Sequence, residues 1–390
     1  MTVAATPPIA SSEAGSLDAG YAAIDRLRAD PSGRDALVAL LAEQSPLFAG
    51  RSSNQAARLR GYVLAAFETC GLPDAAMSIV CEELESGIDP FVVAAAARAV
   101  RCASTTPAEL PALLLAAIRR LRGADDVVTL APADAAAPVT VLTELFRTLR
   151  WLGPRAAGVA APFAELLSHD QAMLSDTVRR EGRLALGAIR SAAESAPPSC
   201  CGAPAPLVLP HDNSVPADAD IDVAAIALQD QDGSVASFGE IFRGRPSVLT
   251  FFYTRCANPN KCSLTIQKLA QLQTLIAEAG LPEVVNVAAI SYDGAFDLPH
   301  RLRTYGEARG MRFDRFNRML RTIGDFEPVR RWLDLGVGYG ATTVNHHRLD
   351  LVVLDRSMRC VERIARRQWN EHELFDIIRR ALRNDGNVQT

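Results

Sequence analysis

Between residues 17 and about 190, apolar positions recur three and four apart, the period of a helix that buries one stripe. In the run from Arg58 to Phe67 the stripe is Leu59, Tyr62, Val63, Ala66 and Phe67. The same spacing predicts helices near 33–43, 73–86, 89–102, 107–122, 137–152, 157–168 and 174–190. Turn signals separate several of them, at Gly71-Leu72-Pro73, Gly87-Ile88-Asp89-Pro90 and Gly153-Pro154. Asp89 followed by Pro90 reads as an N-cap with proline at the first helical position, where no backbone N–H is required.

Composition marks the ends of this helical region. Residues 1–16 are rich in Ala, Pro and Ser and are expected to form a disordered tail. Residues 191–217, SAAESAPPSCCGAPAPLVLPHDNSVPA, disfavour any long element and read as a linker. Short helices joined by tight turns over 17–190 predict stacked helical pairs, a layout that resembles an irregular HEAT-like array. No sharp repeat period is visible, and a helical bundle is the alternative. Such a domain is expected to dock a protein or peptide partner rather than to perform chemistry. Its one histidine, His169, reads as a surface residue.

After the linker the texture changes to strand and helix in alternation, over 218–385. Val223 to Leu228, ahead of Asp232-Gly233-Ser234, predicts a strand and hairpin turn. Ser247 to Tyr253 is a short, mostly apolar run of β-formers and predicts a buried strand. A helix over Leu264 to Ala279 follows, with Ile266, Leu269, Leu272 and Ile276 at helix spacing, then a second apolar strand over Val284 to Ile290. Next come a helix at 298–309 and a helical stretch from about 318 that Pro328 would interrupt. Leu349 to Leu354 and Cys360 to Ile364 predict strands around the turn Asp355-Arg356-Ser357-Met358, and Glu371 to Leu382 a closing helix. The fold class is thus multidomain: an all-α first half, then an α/β domain with a central sheet covered on both faces.

Composition excludes several classes of function. The chain has 390 residues, 48% of them hydrophobic and 22% charged, which is globular rather than disordered. A net charge of −4 offers no basic field for nucleic acid. The start, MTVAATPPIASSEAGSLDAG, has neither the basic nor the apolar region of a signal peptide. No uninterrupted apolar run is long enough to span a membrane, so a cytoplasmic location is expected. Of the 41 basic residues only Lys261 and Lys268 are lysines, a bias of the kind that GC-rich coding produces and that carries no mechanistic weight.

Eight cysteines are too few for a disulfide scaffold. Cys70, Cys81 and Cys102 read as small buried apolar residues. The other five, Cys200, Cys201, Cys256, Cys262 and Cys360, lie in or just before the α/β domain. The informative stretch is FFYTRCANPNKCSLTIQKLAQLQ, where Cys256 follows a buried strand and Cys262 sits where the next helix opens. A helix N-terminus presents unpaired N–H groups and a positive dipole end, which stabilise a thiolate. Thiolates are the nucleophiles of disulfide exchange and soft ligands for Cu(I) or zinc. The five residues between them allow both sulfurs to converge on one ion or on each other.

At this point residues 217 to 385 resemble the Sco/SenC family of thioredoxin-fold copper proteins, known for assembling the copper site of respiratory oxidases. Gly244-Arg245-Pro246 through Phe252-Tyr253-Thr254-Arg255-Cys256 looks like that family's strand leading to its first metal cysteine. Ser291-Tyr292-Asp293 is similar to its Ser-Val-Asp. The resemblance implies a third ligand, a histidine before the late hairpin strand, with an aspartate closing that strand. His347 and Asp355 match those places, and His346 is adjacent. The family usually has three residues between its cysteines where this chain has five, its members are usually membrane-anchored or exported, and the helical half is foreign to it. A peroxiredoxin motif is not met, because only one residue separates Thr254 from Cys256.

The reading is therefore copper binding and handling, thiol–disulfide exchange, or both, through Cys256, Cys262 and His347, with the helical half docking a partner. The alternative is a copper- or thiol-dependent oxidoreductase acting on a small molecule or peptide. Cys200 and Cys201 would relay metal, act as resolving thiols or be plain linker cysteines. Cys360 reads as core. His211, His300 and His372 read as solvated, as does the cluster Arg363, Arg366 and Arg367.

Overall fold

A computed structural model of the chain describes residues 16–30, 32–124, 126–130, 138–169, 173–191 and 221–384. The chain divides into two compact units, Met1–Leu209 with Tyr339–Ala341, and Pro210–Gly338 with Thr342–Thr390.

In the first unit, α1 (Leu17–Ala29), α2 (Arg34–Leu40), α3 (Ser53–Cys70), α4 (Asp74–Ser86), α5 (Pro90–Val100) and α6 (Leu110–Leu121) precede a small hairpin, β1 (Val127–Val128) and β2 (Val139–Thr140). Three helices follow, α7 (Val141–Leu152), α8 (Ala160–His169) and α9 (Asp176–Ser191). The hairpin interrupts what periodicity reads as continuous helix from 137. The starts of these helices are written in local chemistry. Asp89 accepts from the backbone N–H of Phe91 and Val92, with Pro90 in the first turn, as its sequence predicts. Ser52 and Gln55 close a capping box on α3. Packing runs between alternate helices, α1 on α3, α3 on α5, α5 on α7, α7 on α9 and α4 on α6, and also between neighbours, α4 on α5, α6 on α7 and α8 on α9. One charged keystone joins α5 to α7. Glu144, fully buried, accepts from Arg98 at 3.0 Å, Arg101 at 2.6 Å and Arg147 at 3.0 Å. Of the three dispersed cysteines, Cys81 is buried, but Cys70 and Cys102 are only half-buried at helix ends.

The second unit is built on a seven-stranded sheet. Its strands are β3 (Ala227–Asp230), β4 (Val235–Ser237), β5 (Ser247–Phe252), β6 (Asn286–Ser291), β7 (Asn317–Thr322), β10 (Asp350–Leu354) and β11 (Cys360–Ala365), in the order β11-β10-β5-β6-β7-β3-β4. β5, β6 and β7 are parallel and the outer pairs antiparallel. A separate hairpin, β8 (Val337–Tyr339) with β9 (Val344–His347), precedes β10. The helices are α10 (Phe238–Phe242), α11 (Leu264–Glu278), α12 (Pro299–Glu307), α13 (Glu327–Trp332) and α14 (Glu371–Asn384). Every residue of β5 and β6 is buried, which is why their sequences are continuous apolar runs rather than alternations.

Two expectations are corrected here. The strand expected from Val223 begins at Ala227. Pairing with β4 and β7 reaches only that far, so 223–225 coils into a 3₁₀ turn that buries Val223. The helix expected from about 318 is strand β7, whose Met319 and Leu320 are both buried between β6 and β3. Arg318 and Arg321, three apart, imitate a helical polar face. Pro328 starts α13 rather than interrupting a helix, since a first-turn residue needs no N–H. Among the described residues no helix is long and apolar enough to cross a membrane.

Candidate metal and thiol centre

The C-terminal ends of parallel strands are where α/β sheets place their sites. Here β5 delivers Tyr253, Thr254, Arg255 and Cys256 to that edge. A buried carboxylate fixes the exit. Asp297, 0% exposed, accepts from the Thr254 backbone N–H at 3.0 Å and from the hydroxyls of Thr254 and Ser291, so the ends of β5 and β6 are tied to one side chain. Burial raises the Asp297 pKa in spite of those three hydrogen bonds. At the surface Arg255 pairs with Asp293 and lies over the Phe296 ring.

The five residues after Cys256 are taken up by a wide turn. Asn258 caps it by accepting from the Asn260 N–H, and Pro259–Ser263 forms a π-helical turn that carries Cys262 into α11. Turns of this type concentrate at functional sites because they re-aim a side chain without breaking the helix.

His347 arrives from across the sheet as the last residue of β9, and it is 4% exposed. Its Nδ1 lies 3.0 Å from the Arg348 carbonyl oxygen, which only accepts, so Nδ1 carries a proton and Nε2 is the nitrogen turned to the sulfurs. That Nε2 is 3.6 Å from Cys256 Sγ and 3.5 Å from Cys262 Sγ. The three ligand atoms lie within 4.8 Å of one another, the one such group of three or more His, Cys, Asp or Glu side chains among the described residues. Tyr253 meets the imidazole edge-on at 5.6 Å between centroids, and Tyr292 lies at 5.5 Å. Lys261, also buried, donates from Nζ to the His347 carbonyl at 2.8 Å.

The two thiols differ in charge. A hydrogen bond from Cys262 lowers the Cys256 pKa far below the usual thiol range, against burial and with help from His347. Burial, then the hydrogen bond and charge of Cys256, raises that of Cys262. Cys256 is the thiolate and Cys262 the thiol that donates to it. Burial and the two cysteines likewise keep Tyr253 protonated.

Residues singled out in the sequence fall as follows. Cys256, Cys262 and His347 come together. His346, next along β9, faces the other side as strand neighbours must, and is outside the group. Asp355 accepts from the N–H groups of Ser357 and Arg359 and from the Arg359 guanidinium, which makes it the organiser of the β10–β11 turn. Cys360 is half-buried, donates to the Glu362 carbonyl and is pushed by burial up to about 11. His300 and His372 are exposed. Arg363 is not solvated as expected. It is 7% exposed on β11, where it donates to the Asp334 carbonyl and to Asp350. Cys200, Cys201 and His211 lie outside the described residues. Sequence reasoning missed Asp297 and Lys261. The bias against lysine was the available signal for the second.

A mixed sheet with a dithiol at the exit of a central parallel strand and an imidazole brought to it by a late hairpin defines a thioredoxin-like domain with a Cys-Cys-His group. Residues 223–383 match the SCO1/SenC family model, and this part of the chain is a SCO1/SenC domain. Similar solved structures include ScoI of Bradyrhizobium japonicum with copper bound, at 21% identity over 40% of this chain and 97% of that one, with a TM-score of 0.33. A SCO1/SenC family lipoprotein from Bacillus anthracis aligns at 20% identity over 42% and 95%, with a TM-score of 0.35. Yeast Sco1 aligns at 21% identity over 41% and 96%, with a TM-score of 0.32. No curated protein matches the chain.

Proposed function

We propose that the SCO1/SenC domain binds copper as Cu(I) through Cys256 Sγ, Cys262 Sγ and His347 Nε2, and carries it as cargo to a protein acceptor. The observation that carries this reading is the convergence of two sulfurs and one imidazole nitrogen within 4.8 Å in a buried site. Two soft thiolates and one imidazole fit Cu(I) better than any hard cation. Similarity to a copper-bound ScoI agrees with it.

A second reading rests on the asymmetry of the thiols. Cys256, a partly exposed thiolate, would attack one sulfur of a partner disulfide and release the other as a thiolate. Cys262, losing its proton, would then displace the reduced partner and close a Cys256–Cys262 disulfide. An oxidoreductase acting on a peptide or small molecule is the form this chemistry would take.

The helical half is the docking surface in either case. Its alternate-helix packing supports a HEAT-like array, a form that offers an extended face to a protein or peptide. We place the protein in the cytoplasm, whose glutathione pool keeps both site cysteines reduced.

Elemental analysis of protein purified without chelator tests the metal reading. About one copper per chain is expected for a single soft site, falling in Cys256→Ser and His347→Ala. A chain purified without copper, and unable to take up Cu(I) when it is supplied, would leave disulfide exchange as the function.

A further inference from the structure

We propose that Lys261 determines which ion the site accepts, pinning His347 and setting a charge that favours a monovalent metal over a divalent one. This rests on the copper reading above. Lys261 lies in the π-helical turn between the cysteines, is 5% exposed, and donates from Nζ to the His347 carbonyl at 2.8 Å, across 86 residues of chain. Two consequences follow from that one contact. The end of β9 is held against the cysteine turn, so the imidazole is positioned before any ion arrives. A cationic side chain is also buried beside the ligands, close enough that its charge pulls down the Cys262 pKa.

Charge arithmetic supplies the selectivity. Two thiolates, a neutral imidazole and Cu(I) form a cluster of charge −1. The same ligands around Cu(II) or Zn(II) form a neutral one. A neighbouring ammonium stabilises the anionic cluster and gives the neutral one nothing, and in a site shielded from water the difference is not screened away. The chain's residue choice agrees. Thirty-nine of its 41 basic residues are arginine, yet this buried position holds one of the two lysines. A compact ammonium fits where a planar guanidinium, with five N–H groups to satisfy, does not.

The test compares the full-length wild type with Lys261→Met and Lys261→Gln. Each is checked for folding by circular dichroism and titrated with Cu(I) and with Zn(II) against chromophoric competitors. Removing the charge should lower the Cu(I)-over-Zn(II) affinity ratio about tenfold. The Cu(II)/Cu(I) potential should fall by about 59 mV, the one-electron equivalent of that factor. Lys261→Arg, where it folds, should retain the ratio. An equal loss for both ions, or no loss, overturns the inference while leaving the copper site intact. A wild type that takes up no Cu(I) at all would instead sink the reading beneath it.

Discussion

The two sulfurs at the exit of β5 are not equivalent, and the difference follows from depth. Cys256 keeps some contact with solvent and carries the charge. Cys262 is 1% exposed, keeps its proton and donates it towards Cys256. Cys256 should therefore be alkylated by iodoacetamide well below pH 7, while Cys262 stays protected in the folded chain. Because the hydrogen bond from Cys262 is the largest cause of the low pKa, Cys262→Ala should move the Cys256 alkylation profile to higher pH by a unit or more. A profile that does not move would show that the thiolate is stabilised by something other than its neighbour. Legibility at this scale is uneven for a physical reason. The cysteines announce themselves, being adjacent to one strand–turn–helix junction. Position 347 is found through a family resemblance, and Lys261 and Asp297 reach partners 86 and 43 residues away, a distance over which no local pattern reports.

Elements whose burial is periodic or complete were readable. β5 and β6 show as apolar runs, α11 as a stripe, and α5 by its Asp89-Pro90 start. β7 and the β8–β9 hairpin were not, because short strands take their identity from the strands beside them. The helical unit has its own example of a long-range determinant. Glu144 on α7 is buried among apolar neighbours, and burial alone would raise its pKa. Hydrogen bonds and charges from Arg98 and Arg101 outweigh that and hold it below the usual carboxylate range. Glu144→Ala leaves those two guanidiniums without their shared carboxylate, and should destabilise the helical unit by about 3 kcal/mol in urea titration. Since the folded pKa lies below the unfolded one, the contribution of Glu144 is fully present above about pH 4.5 and lost as pH falls through the folded value. A variant as stable as wild type at pH 7, with the same acid dependence, would show that the keystone is dispensable.

The whole molecule is two cores. One is assembled from helices that pack on alternate neighbours, the other from a sheet that presents its chemistry at the ends of its central strands. The division into helical and α/β halves is visible in the change of hydrophobic period. The docking face proposed for the first half is not, since such a face is defined by surface shape rather than by periodicity. The ligand set proposed for copper is tested most directly by what surrounds the ion once it is bound. X-ray absorption at the copper edge of Cu(I)-loaded full-length protein should show two sulfur neighbours and one imidazole nitrogen, with the nitrogen lost in His347→Ala. A coordination shell of nitrogen and oxygen alone, or one unchanged by that substitution, would contradict it.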